Sequence, residues 1–106
     1  MPKTPPKLTA KEREAALAAA AKVRKARAHM KEQLAAGNFT LADVFHIADE
    51  GSKAATMTKV KAVLMALPKV GEVTATNVME ELRIPANRRV GGLGSRQRAA
   101  LVDRFA

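Results

Sequence analysis

The 106-residue chain has no cysteine, tryptophan or tyrosine, and only three phenylalanines. The absence of cysteine excludes a disulfide framework and a thiolate metal site, which fits a cytoplasmic protein. No apolar run approaches the roughly 20 residues that a membrane-spanning helix needs. The segment 1–7 also lacks the apolar stretch of a signal peptide. We therefore expect no membrane association and no cross-linked scaffold.

The chain also lacks the residue groupings that catalysis needs. Its two histidines, His29 and His46, have no second ligand at metal-binding spacing. The acidic residues Asp43, Asp49 and Glu50 are better explained as a helix and its end than as a metal cluster. No candidate base has a partner at usable spacing. We predict a protein that is not an enzyme, with no catalytic residues, no metal, no cofactor and no small-molecule substrate.

What the chain does contain is alanine and positive charge. Hydrophobic residues make up 47% of it, but much of this is alanine, so the core must be modest and helical. The net charge is +9, and the excess lies in residues 1–36, 53–70 and 85–106. Residues 37–52 and 71–84 are acidic. This uneven distribution points to a polyanionic partner.

The N-terminal third predicts an arm and then one long helix. Three of the five prolines fall in residues 1–8, which we expect to be a flexible basic arm. Thr9 and Glu12 form a capping box, and Gly37 is a stop signal, so the helix should span 9–36. Its first half offers little to bury and should project. Its apolar stripe consists of Ala19, Val23, Ala26, Met30 and Leu34.

Five cations without an intervening acid follow one another in this helix: Lys22, Arg24, Lys25, Arg27 and Lys31. A solvated face is the common explanation for charges on a helix. Here no acid is available for the i,i+4 ion pairs that stabilise such faces, so phosphate contact gains weight.

Residues 37–106 predict a compact domain of short helices. The periodicity indicates helices at 40–50, 58–66, 71–82 and 95–105, with Ser95 as the last N-cap. Thr56 or Thr58 should cap the second of these. The buried positions are expected at Leu41, Val44, Phe45, Ile47 or Ala48, Val60, Val63, Leu64, Leu67, Val73, Val78, Met79, Leu82, Ile84, Ala99, Leu101, Val102 and Phe105.

A tight turn, Leu67 to Gly71, joins two of these helices. Pro68 cannot continue a helix, and Gly71 allows a close approach or a positive φ. The free N–H groups that begin the next helix then make a site for an anion such as a phosphate. Alone, this helix-hairpin-helix pattern is a weak signal, because similar turns occur in proteins that bind no phosphate.

A glycine-rich connection, 85–94, follows with two adjacent arginines, Arg88 and Arg89. Its three glycines predict a flexible or positive-φ turn. It is not a P-loop, because no Gly-Lys-Ser/Thr follows. Arg96 and Arg98 start the last helix, where cations oppose the dipole unless a phosphate neutralises them.

Three segments resemble the actinobacterial integration host factors, which are small nucleoid-associated proteins. The similar segments are the alanine-rich basic helix (8–35), Lys59 to Gly71, and, most specifically, Arg88-Arg89-Val90-Gly91-Gly92-Leu93-Gly94-Ser95-Arg96-Gln97-Arg98. The resemblance implies an all-α fold, with a long N-terminal helix before a helix-two-turns-helix domain. It also implies duplex-DNA binding through hairpin amides and arginines, with little sequence preference.

The chain departs from the family pattern at three positions. Lys69 stands where the family usually has glycine, Glu72 where it has a basic residue, and Gly91 where it has a third arginine. Lys69 could replace the charge lost at Glu72. The loss at Gly91 removes one contact that the resemblance implies, so we expect weaker DNA binding than in a typical member.

The sequence therefore predicts an architectural, nucleoid-located protein that binds duplex DNA as a monomer and bends or bridges it. The alternative is an RNA-binding protein of the ribosomal helix-two-turns-helix type, although no aromatic residues are placed to stack on single-stranded bases. The predicted DNA-binding residues are Lys22, Arg24, Lys25, Arg27, Lys31, Lys59, Lys69, Val70, Gly71, Val73, Arg88, Arg89, Gly92, Gly94, Arg96 and Arg98.

Overall fold

The computed structural model describes residues 9–105; the predicted arm at 1–8 lies outside them. The described chain is helical, which confirms the predicted all-α class. The helices are α1 (Ala10–Ala35), α2 (Leu41–Asp49), α3 (Lys53–Met57), α4 (Val60–Ala66), α5 (Glu72–Glu81), a 3₁₀ turn (Val90–Gly92) and α6 (Ser95–Arg104).

The long helix α1 projects from the folded body, as its composition predicts. Thr9 Oγ1 accepts a hydrogen bond from the Glu12 amide at 3.1 Å, which stabilises the first turn. Every residue from 10 to 20 is exposed. Only Met30 and Leu34 are buried. The predicted stripe is therefore too long, because the domain covers only the C-terminal part of α1, where the helix packs on α3 and α4.

Three helices end in the same hydrogen-bonded turn, with one residue at positive φ. Gly37 and Gly51 take this position after α1 and α2. Arg83 takes it after α5, with φ 57°. The Arg83 amide donates to Glu80 O at 3.1 Å, and the Ile84 amide donates to Met79 O at 2.8 Å. This Schellman pair satisfies two terminal carbonyls and returns Ile84 to the core.

Residues 53–66 form two helices, of which the sequence predicted only the second, at 58–66. Ser52 Oγ accepts from the Ala55 amide at 3.2 Å and starts α3. Thr58 then interrupts the helix: it is extended and buried. Its carbonyl accepts from the Val90 amide at 3.0 Å, and the Val60 amide donates to Arg88 O at 2.9 Å. Helix α4 begins after Lys59 with no side-chain cap, so neither threonine caps it.

One hydrophobic core joins the helices. Leu34, Val44, Leu64 and Leu101 lie fully inside it. Two predicted core positions were wrong. Val73 is 73% exposed, because α5 buries Ala75, Val78 and Met79 instead. Ala99 is also exposed on α6.

The N-cap of α6 also differs from the prediction. Gly94, and not Ser95, is the N-cap residue. The Gly94 amide donates to Gln97 Oε1 at 3.1 Å. A glutamine three residues into the helix thus satisfies the amide that precedes it.

Candidate nucleic-acid interface

The turn between α4 and α5 has its strained residue at Lys69. The Val70 amide closes the turn on Leu67 O at 3.3 Å. Lys69 has φ 63°, in the left-handed region that favours glycine. Gly71 has φ −95° and open space around the position of a Cβ. The expectation that Gly71 takes a positive φ was therefore wrong, and the residue at positive φ in this turn is Lys69, two residues earlier.

The N-terminus of α5 presents unpaired amides to solvent. Gly71 is the N-cap residue and offers no side-chain oxygen. Because the first helical bond runs from the Ala75 amide to Gly71 O at 3.0 Å, residues 72–74 begin the helix without backbone acceptors in the described chain. Val73 stands exposed beside these amides. Helix N-termini of this kind attract anions.

Glu72 partly neutralises this surface. Its Oε1 accepts from Lys61 Nζ at 3.1 Å. Lys61 was not among the predicted site residues. Its relevance depends on α4 packing against α5, which no local pattern in the sequence encodes.

The 88–92 segment is hydrogen-bonded both within itself and to the junction of α3 and α4. Lys59 and Arg89 face each other in an antiparallel bridge. Arg88 Nη1 donates to Gly92 O at 2.8 Å. Arg89 Nη1 donates to the carbonyl oxygen of Met57. Each of these bonds sets the orientation of one guanidinium group relative to the backbone.

Gly91 and Gly92 are needed because neighbouring side chains pack against their Cα atoms, and not because the backbone takes a positive φ. Neither Gly91 nor Gly92 has positive φ. A Cβ at Gly91 would lie 2.5 Å from Thr56 Cγ2, and one at Gly92 would lie 2.8 Å from Arg88 Cδ. Gly94 likewise has φ −76°. The sequence predicted a flexible or positive-φ turn here, whereas the structure has a 3₁₀ turn packed against Thr56 and Arg88.

The two arginines of α6 have different surroundings. Arg96 is exposed. Arg98 Nη1 lies 2.7 Å from Asp49 Oδ1, and its guanidinium lies 5.4 Å from the centroid of the Phe45 ring. Arg98 therefore connects α6 to α2.

The cations of α1 also separate into two groups. Arg27 and Lys31 line a cleft together with Lys59 and Arg89. Lys22, Arg24 and Lys25 are exposed. The tertiary structure thus brings the C-terminal part of α1 next to Lys59 and Arg89, although these residues are distant in sequence.

Residues 9–105 contain no group of three or more His, Cys, Asp or Glu side chains that could hold a metal ion. Within the same residues, the helices fall short of the length and hydrophobicity that a membrane crossing requires.

Comparison with known proteins first defines the class. Residues 34–105 match the family model of the S13-like H2TH domain, which covers the body of the fold and the end of α1. The chain is thus a helix-two-turns-helix protein with a long N-terminal helix.

The particular family follows from its relatives. The chain is 47% identical over 100 residues to the integration host factors of Mycobacterium tuberculosis and of Mycolicibacterium smegmatis, covering 94% of this chain and 94% of each relative. It is 43% identical to that of Streptomyces coelicolor, covering 94% of this chain and 92% of the relative. The chain belongs to the actinobacterial integration host factor family.

A solved structure agrees with this assignment. The structure of sIHF bound to an 8-base-pair palindromic DNA matches with a TM-score of 0.77 and 40% identity. The match covers 82% of this chain and 97% of that one.

Proposed function

We propose that the protein is a non-enzymatic, architectural DNA-binding protein of the nucleoid, which binds duplex DNA as a monomer with little sequence preference. The carrying observations are the exposed α5 N-terminus with its free amides and the backbone-bonded pair Arg88 and Arg89. A bound DNA in the sIHF structure supports duplex DNA as the anion.

On this proposal, the α5 amides and Lys69 hold one phosphate strand. Val70, Gly71 and Val73 form the contact surface around those amides. Arg88 and Arg89 lie along the same strand or enter the minor groove. Contacts of this kind position the protein without reading bases, so specificity stays low.

Further contacts come from the neighbouring segments. Gly92 and Gly94 allow the backbone to approach the duplex, and Arg96 adds a phosphate contact. Arg98 stays a predicted contact, although its ion pair with Asp49 makes a structural role the main one. The basic part of α1 supplies additional surface, and contacts at separate positions would let the protein bend or bridge DNA.

A salt titration tests the mechanism. Fluorescence anisotropy with a short labelled duplex should show affinity falling with a log–log slope of about −0.9 per phosphate neutralised. An affinity that stays constant from low to moderate salt would contradict phosphate binding.

A pair of matched double variants tests whether Arg88 and Arg89 contact the duplex. Arg88→Gln/Arg89→Gln should weaken binding at least about tenfold, since two charge-assisted contacts are lost. Arg83→Gln/Arg104→Gln removes the same charge at the C-terminal ends of α5 and α6, far from the free amides, and should cost much less. Equal losses would show that only net charge matters. Circular dichroism confirms that both variants are folded.

Competition with duplex RNA distinguishes the alternative. Duplex DNA should displace the labelled probe at lower concentration than duplex RNA of the same sequence. A-form RNA has a wide, shallow minor groove, unlike the narrow one of B-form DNA. Preference for the RNA would favour the ribosomal type of function instead.

A further inference from the structure

A cavity without any of the basic residues lies beside the C-terminal part of α1. Its volume is about 420 Å³. Helix α1 forms one wall, and the α1–α2 loop, α2, the α2–α3 turn and α3 contribute the rest. The lining residues are Ala26, His29, Met30, Gln33, Phe39, Ile47, Ser52 and Ala54.

This cavity is separate from the surfaces proposed to bind DNA. It shares no lining residue with the cleft that contains Arg27, Lys31 and Lys59. At 3.6 residues per turn, the four α1 residues of its wall are centred about 130° around the helix axis from Arg27 and Lys31. A ligand in the cavity would therefore not cover these cations.

The composition of the wall indicates the charge of a suitable ligand. None of the eight lining residues is Lys, Arg, Asp or Glu, although 27% of the chain consists of these four types. Transfer of an ion from water into such a wall is unfavourable, because no opposite charge offsets the lost hydration. The cavity therefore fits an uncharged ligand.

The apolar part of the wall favours an aromatic ligand. Met30 and Ala54 are buried, and Phe39 and Ile47 are half-buried against the core. A thioether sulfur and an aromatic ring both make favourable contacts with a second aromatic ring. A flat aromatic ligand should therefore bind better than a saturated one of the same size.

Two polar side chains of the wall have hydrogen-bond donors for a ligand. Ser52 Oγ accepts from the Ala55 amide at 3.2 Å, which leaves its hydroxyl hydrogen to be donated. Gln33 Oε1 accepts from Asn38 Nδ2 at 3.3 Å, which leaves the NH₂ group of Gln33 to donate. Donors in an uncharged wall favour a ligand that carries a carbonyl oxygen.

We propose that this cavity is a binding site for an uncharged aromatic molecule that carries a carbonyl group, such as an aromatic amide. Small-molecule sites usually have volumes of about 300–1,000 Å³ and a mostly apolar wall with a few polar groups, as this cavity has. The inference goes beyond the proposed function, since no lining residue is a predicted DNA contact. The protein would thus hold a small molecule and a duplex at separate sites.

Three probes of similar size test the chemistry of the site. Benzamide has the ring, the carbonyl and no charge, benzoate adds a negative charge, and cyclohexanecarboxamide replaces the aromatic ring with a saturated one. In NMR titrations, amide shifts near the cavity should saturate with a Kd of about 1–10 mM for benzamide, as expected for so small a molecule. The other two probes should bind at least about fivefold more weakly. Equal affinities for the three probes, or no saturation with benzamide, would overturn the inference.

Two matched variants test the location of the site. Ala26→Leu enlarges a side chain in the wall from an exposed helical position, where leucine is nearly as favourable as alanine. Ala28→Leu makes the same change at an exposed position about 160° away around α1. The first variant should weaken benzamide binding at least about fivefold, and the second should change it less than about twofold. Unchanged binding in Ala26→Leu would contradict the site.

A titration in the presence of DNA separates this inference from the proposed function. A saturating short duplex should change the benzamide Kd by less than about twofold, because the two sites share no residue. Displacement of benzamide by the duplex would place the probe on the DNA-binding surface and overturn the inference. Failure of the unaltered protein to bind any duplex would contradict the proposed function alone.

Discussion

Arg98 Nη1 lies 2.7 Å from Asp49 Oδ1, which joins residues 49 positions apart in the sequence. The same guanidinium rests over the ring of the buried Phe45. One basic side chain thus fastens α6 onto α2, whereas Arg96, two residues earlier in the same helix, is exposed.

We expect Arg98→Gln to lower stability more than it lowers DNA affinity. The Asp49 carboxylate is largely exposed, so the ion pair is screened, and with the cation–π contact the loss should be about 1 kcal/mol. Thermal unfolding should then shift down by roughly 4–8 °C for a domain of this size. Arg96→Gln is the matched control. This variant should keep the thermal unfolding midpoint of the unaltered protein and should weaken duplex binding. The reverse pattern in the two variants would assign the DNA contact to Arg98.

Replacing Glu72 should strengthen DNA binding. Its carboxylate stands at the free amides of α5 and pairs with Lys61. Glu72→Gln removes this negative charge from the anion site and frees Lys61, so affinity should rise several-fold and the salt slope should steepen by up to about 0.9. Helix α5 loses a favourable dipole interaction of about 0.3–1 kcal/mol.

Anisotropy titrations at several salt concentrations check this change in affinity. Asp103→Asn alters the net charge equally at an exposed position of α6 and serves as the control. A gain of equal size in that control would attribute the effect to overall charge.

Lys69→Gly should stabilise the protein and weaken its DNA binding. The left-handed conformation of Lys69 is unfavourable for an L-residue with a side chain, by about 1–2 kcal/mol. Glycine relieves this strain but loses more chain entropy on folding, so the net gain should be at most about 1 kcal/mol. Chemical denaturation measures this gain.

The affinity effect of Lys69→Gly should come from the lost charge alone. Lys69→Gln removes the charge and keeps the strain. Both variants should therefore weaken duplex binding similarly, while only the glycine variant becomes more stable. If Lys69→Gln gained the same stability, backbone strain would not be the cause.

Gly91→Arg should destabilise the protein through a clash with Thr56. The new Cβ would meet Thr56 Cγ2 at 2.5 Å, and overpacking of this kind typically costs about 1–3 kcal/mol. Thr56→Ala removes the clashing methyl group. The double variant should therefore be more stable than the sum of the two single changes predicts.

A double-mutant cycle by denaturation measures this coupling. The double variant should also gain duplex affinity, because it adds a third arginine next to Arg88 and Arg89. Additive stabilities in the cycle would contradict the proposed contact.

Local patterns predicted most of the helical organisation. The alanine-rich run without Gly or Pro predicted α1, and the stops at Gly37 and Pro68 were correct because they depend on backbone conformation alone. Helix α3 (Lys53–Met57) was missed, because the sequence predicted a helix only at 58–66. The extended break at Thr58, which separates α3 from α4, is stabilised by hydrogen bonds to residues 88–90, about 30 positions away, which no propensity within 53–66 records.

The sequence by itself determined the helices, the excess of positive charge and the family membership, because periodicity, composition and local motif are properties of neighbouring residues. Only the tertiary structure decided what each cation does. In the folded protein, Arg98 pairs with Asp49, and the residue at positive φ in the α4–α5 turn is Lys69 and not Gly71. Arg27 and Lys31 lie next to Lys59 and Arg89. These relationships depend on how α1, α2, α4 and α6 pack, and packing brings together side chains that are distant along the chain.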